Sequence, residues 1–205
     1  MSISTYTELS DALTNWLHRA DLTSHIPEFI AMGEAHLNRK LRVKEMEASA
    51  TVTPSQSVRY VALPTGYMEQ IAFTDDYGDP LTEVDPERLE QLAYGIGAQR
   101  PYYYRISSRI DFEAVADTAY SYTLRYRKRL DLATDLTNSV LTNHPDAYLY
   151  ASLMQSAPFI RDDAQIMTWK TLMDDAVKEA NSQSTRSQQL LRTGFGGVIS
   201  NILRG

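Results

Sequence analysis

The sequence predicts an α+β chain, mainly α, from three observations. Apolar residues recur at three-and-four spacing near both ends, they alternate at every second position in the middle, and the last twenty-odd residues set a few apolar side chains among three glycines. Each end supplies a helical pair that cannot bury its apolar stripe alone. The expected architecture is therefore a four-helix bundle from residues 1–45 and 143–182, a mostly antiparallel β lobe inserted at 46–142 with one short helix, and an extended arm at 183–205.

Thr5-Tyr-Thr-Glu8 has the form of a capping box, in which the threonine hydroxyl and the glutamate each satisfy a free amide of a first helical turn. Leu9, Ala12, Leu13, Trp16, Leu17 and Ala20 follow as one stripe to about Asp21. Pro27 suits the first turn of a second helix, and Ile26, Phe29, Ile30, Gly33, Leu37 and Leu41 carry it to about Val43. Glycine inside a helix costs about 1 kcal/mol relative to alanine, so Gly33 marks a place where another helix comes close. The two helices are expected to form a hairpin.

From Met46 the period becomes two. Met46, Ala48, Ala50 and Val52 alternate with Glu47, Ser49, Thr51 and Thr53 until Pro54. Strands are expected at 58–63, 67–73 and 80–84, a helix from Asp85-Pro86-Glu87 to about Tyr94, and further strands at 102–107, 109–114 and 120–127. In the last of these Tyr120, Tyr122, Leu124 and Tyr126 share the core face, and Ser121, Thr123, Arg125 and Arg127 the wet one. A partly ordered loop is expected at 131–142. Helix resumes at Asn143-His-Pro-Asp146 and runs to Pro158, and Asp162 or Asp163 caps a last helix with Ile166, Trp169, Leu172, Met173, Ala176, Val177 and Ala180 inward.

The arm holds Leu190, Leu191, Phe195, Val198, Ile199, Ile202 and Leu203 among Gly194, Gly196 and Gly197. These are too few to close a core, so the arm must pack on another surface or stay mobile. It carries Arg186, Arg192 and Arg204 and no acid, which leaves 17 of 20 basic residues and all 26 acids in the chain before it, −9 against +3. A basic arm on an acidic body points to assembly.

Composition removes several classes of chemistry. With no cysteine there is no disulfide, thiolate nucleophile or cysteine metal site. No apolar run reaches membrane-spanning length and no signal-peptide pattern opens the chain, so a soluble intracellular product is expected. His18, His25, His36 and His144 show no metal-ligand spacing, and Asp75, Asp76 and Asp79 around Gly78 lack the calcium-loop pattern. Gly95-Ile-Gly97 lacks the third glycine of a dinucleotide loop, and Gly194-Phe-Gly-Gly197 the ending of a phosphate loop. No enzyme, cofactor or metal is expected. The alternative reading is a nucleic-acid-binding module on a Tyr/Arg-rich sheet, from Tyr102-Tyr-Tyr-Arg105 and the run Tyr120 to Arg129.

Taken in order, Tyr6-Thr-Glu-Leu9, Ile26-Pro-Glu-Phe-Ile30, Leu37-Asn-Arg-Lys-Leu-Arg42, Met46-Glu47, Leu63-Pro-Thr-Gly-Tyr-Met-Glu69, Tyr122-Thr-Leu-Arg-Tyr-Arg127 and Asn143-His-Pro-Asp-Ala-Tyr-Leu-Tyr150 resemble the head-to-tail adaptor (connector) proteins of tailed bacteriophages. The likeness spans nearly the whole chain through order and spacing. It implies a homo-oligomeric ring, usually dodecameric, in the head-tail neck of the virion, assembled in the host cytoplasm. Such a ring docks on the portal protein through a C-terminal extension, offers a platform to a tail or nozzle protein, and passes genomic DNA during ejection without reading its sequence or touching a membrane. On that resemblance the portal-binding residues are Arg186, Leu190, Leu191, Arg192, Phe195, Val198, Ile199, Ile202, Leu203 and Arg204. Arg125, Arg127, Lys128 and Arg129 are candidates for a subunit or tail interface.

Overall fold

The computed structural model describes residues 3–94, 97–160 and 163–202, with the helix backbone alone described at 163 and from 187 onward. It is α+β with two small sheets and divides into two compact units, one of residues 1–46 with 130–205 and one of 47–129.

In the helical unit, α1 (Tyr6–Leu17) opens with the expected capping box: Glu8 N–H donates to Thr5 Oγ1 at 3.2 Å and Thr5 N–H to Glu8 Oε2 at 3.1 Å. It ends earlier than its apolar pattern, because His18 turns into the left-handed region at φ 49° and Ala20–His25 forms a 3-10 turn. Then α2 spans Ile26–Lys40, shorter than the expected run to Val43, with Pro27 in its first turn. The stretch expected to be a loop holds two short helices, α4 (Leu132–Asp135) and α5 (Ser139–Asn143), capped by the side chains of Asp131 and Asn138. After them come α6 (Pro145–Gln155) and α7 (Asp163–Ile202). Asp162, one of the two expected caps, lies outside the described residues.

Helix α6 is the common partner, packing on α1, α2 and α7. Its residues Ala147, Tyr148, Leu149, Ala151, Ser152 and Leu153 are all buried, so no single stripe describes it. The helix that approaches Gly33 is α6. Hydrogen bonds from α2 draw in 130–132: Asn38 accepts from Leu130 N–H at 2.8 Å and donates to its carbonyl at 3.0 Å, while Glu34 accepts from Leu132 N–H at 2.9 Å. The β unit therefore ends at Arg129, whereas the pattern had carried the lobe to 142.

The arm is also corrected. Through its described part it is not extended, since α7 continues unbroken to Ile202. Glycine lowers helix propensity by only about 1 kcal/mol per residue, and a helix already nucleated upstream propagates without a second nucleation cost.

The β unit holds β1 (Glu47–Val52), β2 (Tyr60–Ala62), β3 (Tyr67–Asp75), β4 (Thr82–Glu83), α3 (Pro86–Ala93), β5 (Tyr103–Ile106), β6 (Arg109–Phe112) and β7 (Tyr122–Lys128). One sheet has the order β1-β7-β3 and the other β2-β6-β5-β4; every pairing is antiparallel except β4 with β5. Alternation aims Val52, Phe73, Tyr122, Leu124 and Tyr126 of the first sheet and Tyr104, Ile110 and Phe112 of the second into one core. Rings meet there edge to face, Phe73 and Tyr104 having centroids 4.8 Å apart.

Candidate assembly surfaces

The inner stripe of α7 is Trp169, Met173, Ala176, Val177, Ala180 and Ser184, all buried at three-and-four spacing. Leu172, expected on that stripe, is 38% exposed. The packed residues shrink along the stripe, and near its end Asn181 and Ser184 meet the chain leaving α2 with polar groups. Asn181 Oδ1 accepts from Arg42 N–H at 2.7 Å and its Nδ2 donates to Lys40 O at 3.1 Å. Ser184 Oγ accepts from Lys44 N–H at 3.0 Å. An α-helix end leaves backbone groups without intrahelical partners, and here α7 side chains satisfy those just past α2. Lys40 Nζ lies 2.6 Å from Asp174 on the same seam.

Asn181 and Ser184 belong to a polar stretch before the arm, yet Ser184 continues the spacing 173, 177, 180, 184 and Asn181 follows Val177 by four. Beyond them Thr185 and Arg186 are exposed. From Thr185 to Ile202 the helix is about 27 Å long at about 1.5 Å per residue. The side chains of Leu190, Leu191, Arg192, Phe195, Val198, Ile199 and Ile202 lie outside the described residues, as do Leu203 and Arg204 altogether.

The basic run of β7 is largely engaged at home. Register sets Arg127 between Glu47 and Glu69 and Arg125 opposite Ser49. Arg127, with its side chain 12% exposed, pairs with Glu69 at 2.7 Å, and Arg125, 58% exposed, with Glu47 at 3.2 Å. Lys128 and Arg129 are exposed, and Arg129 N–H donates to Gly66 O at 2.7 Å. Tyr122 and Tyr126 are closed in the core, so this sheet does not offer the stacking face that the nucleic-acid reading needs. Tyr102 and Tyr103 remain more than a third exposed.

Buried polar groups that the pattern did not single out stand in structural positions. Glu34 accepts from Leu132 N–H and, at 2.9 Å, from the Tyr148 hydroxyl, which in turn accepts from Asn138 Nδ2. Burial raises the Glu34 carboxyl above the usual range, against those hydrogen bonds, and burial raises the Tyr148 hydroxyl too. Glu34 sits at 30, 34, 37, 41, so the signal was its place on the apolar side of α2. Glu113 accepts from the amides of Tyr102 and Tyr103 at 2.8 and 3.0 Å and is also raised by burial. The acidic turn is built around Arg100: Asp75 Oδ1 accepts from Tyr77 and Asp79 N–H, Arg100 contacts Asp75 and Asp76, and its guanidinium lies over the rings of Tyr77 and Tyr120.

Among the described residues no group of three or more His, Asp or Glu could hold a metal ion, and no helix is long and apolar enough to cross a membrane. A surface cleft of about 400 Å³ is lined by Glu83, Val84, Asp85, Arg88 and Arg105, a mixture of both charges.

Among the described residues, the buried polar groups serve structural hydrogen bonds within each unit, and the backbone of α7 continues as helix past Ser184 to Ile202. The sequence model of the SU10 adaptor protein family matches residues 4–194, and the chain belongs to that family. It is a structural adaptor of a bacteriophage, a component of the virion whose partners are other phage head and tail proteins, and the family is not one of enzymes. Comparison with curated proteins gives no match.

Proposed function

We propose that the protein is the head-to-tail adaptor of its virion, a ring of copies, twelve in number, that docks on the portal, receives the tail or nozzle protein, and conducts DNA at ejection. Helices α1, α2, α6 and α7 serve as a four-helix ring wall. Copies assemble in the host cytoplasm and end in the head-tail neck. The observation that carries this reading is the continuation of α7 to Ile202, well past Ser184, in a chain of the adaptor family.

Docking takes place along that continuation. Leu191, Phe195, Val198 and Ile202 follow one another at i, i+4, i+7 and i+11, the spacing that a helix lays into an apolar groove. Leu190, Ile199 and Leu203 flank them, and Arg186, Arg192 and Arg204 meet portal acids. One short helix binds weakly, and a ring of copies multiplies the contact into stable attachment. Arg125, Arg127, Lys128 and Arg129 are the candidate subunit- or tail-facing cations, Arg127 being the least exposed of them.

Light scattering of the protein mixed with the portal from the same genome tests this. A truncation after Arg186 keeps Asn181 and Ser184 and so leaves the helical unit intact. Full-length chain is expected to join the portal in a ring-sized complex and the truncated chain to stay apart. Equal binding by both, or by neither, overturns the docking assignment.

A further inference from the structure

The four sheet edges of the β unit are not alike. Strands β2 and β4, the edges of one sheet, have three and two residues. In the other sheet β3 carries two register irregularities, and its end is met by 79–81 through the Thr74–Pro80 bridge and the bond from Leu81 N–H to Phe73 O. Shortness, bulges and coverage are the usual means of blunting an edge against added strands. The remaining edge, β1, has none of them. It is six residues long, regular against β7 from Glu47 to Val52, and without proline, glycine or lysine. Among the described residues β7 is the strand hydrogen-bonded to it.

We propose that β1 is an interaction surface for a second copy of this chain, the two β1 edges pairing antiparallel about Ser49. The strand is complementary to itself. A centre on a residue keeps side-chain parity, and Ser49 and Ala50 are the centres that overlap most of the strand; the second carries the ladder to Pro54, whose nitrogen cannot donate, and the first stays clear of it. About Ser49, Glu47 lies opposite Thr51 and Ala48 opposite Ala50, so small residues meet and no acid faces an acid. Each Glu47 keeps its ion pair with Arg125 of its own sheet. The contact uses one patch on both copies and closes in a pair, unlike the head-to-tail contacts of a ring, and stands or falls apart from portal docking.

The chain has no cysteine, so single cysteines report without background. In full-length protein under mild oxidation, Ser49→Cys is expected to form disulfide-linked dimers about tenfold faster than Glu47→Cys or Thr51→Cys, whose partners would lie about 13 Å apart. Ser49→Lys and Ser49→Glu are each expected to sediment as monomers at concentrations where the parent chain dimerises, and their equimolar mixture to regain the dimer. Equal cross-linking at all three positions, no cross-linking at 49, or no recovery in the mixture overturns the proposal.

Discussion

A Cβ placed on Gly33 of α2 would lie 2.9 Å from the backbone nitrogen of Ser152 in α6 and 3.0 Å from its Cα. The contact is backbone against backbone, so no side-chain rotation relieves it. Gly33→Ala is therefore expected to destabilise the chain by about 1–2 kcal/mol net, an overpacking cost of about 2–3 kcal/mol against a gain of about 1 kcal/mol in helix propensity. Gly97, around which an added Cβ meets nothing within 4 Å, is the control. Gly97→Ala should stay within about 0.5 kcal/mol of the parent in urea unfolding.

Glu34 ties α2 to α4 and α6 through the Leu132 amide and the Tyr148 hydroxyl. Its carboxyl is raised in the folded chain, so the folded state holds a proton that the unfolded state has released. Stability from this group is fully present below the unfolded value near 4.5 and falls as pH rises to the higher folded value, above which it stays flat. Unfolding measured against pH should show that decline in the parent and its absence in Glu34→Gln. An identical pH slope in both proteins would remove Glu34 as the cause.

Tyr148→Phe takes a donor from Glu34 and an acceptor from Asn138 in a buried setting. The expected cost is about 1–3 kcal/mol, seen as a lower urea midpoint at unchanged slope.

Asn181→Ala and Ser184→Ala remove the acceptors of the Arg42 and Lys44 amides. Hydrogen exchange at these two amides should accelerate in the respective variants, with a loss of about 1 kcal/mol each in global stability. Unchanged exchange would show that water replaces the side chain without penalty.

On β7 the two ion pairs should differ. Arg125 is mostly exposed, and Arg125→Ala is expected to cost no more than about 0.5 kcal/mol. Arg127 is nearly buried along its length, and Arg127→Ala should cost about 1–2 kcal/mol through lost packing as well as lost charge. Thermal melts at low and high salt separate the two terms, because only the charge term is screened.

Local grammar was legible where a residue's neighbours in sequence are also its neighbours in space. The Thr5–Glu8 capping box, the alternation of β1 and β7, and the inner stripe from Trp169 to Ala180 all depend on contacts within a few residues or on one repeated period. The misread stretches depend on distant partners. Residues 131–142 read as a partly ordered loop because the bond that draws in their start comes from Glu34, more than 90 positions away along the chain. The early stop of α1 rests on a left-handed His18 that no glycine announces. In the arm, three glycines outweighed the helical spacing of Leu191, Phe195, Val198 and Ile202, though the continuous α7 upstream supplies the nucleus that the isolated segment lacks.

The sequence by itself determined the α+β class, the order of nearly every element, the close approach at Gly33 and the likeness that family membership extends over residues 4–194. Those properties follow from periodicity, capping and glycine sterics, which act over short separations. Tertiary structure decided which helix meets Gly33, where the two units divide, that α7 side chains close the end of α2, and which edge strand is long and regular. Each of these turns on a hydrogen bond or packing contact between residues far apart in the chain, and no local pattern records where the fold will bring such pairs together.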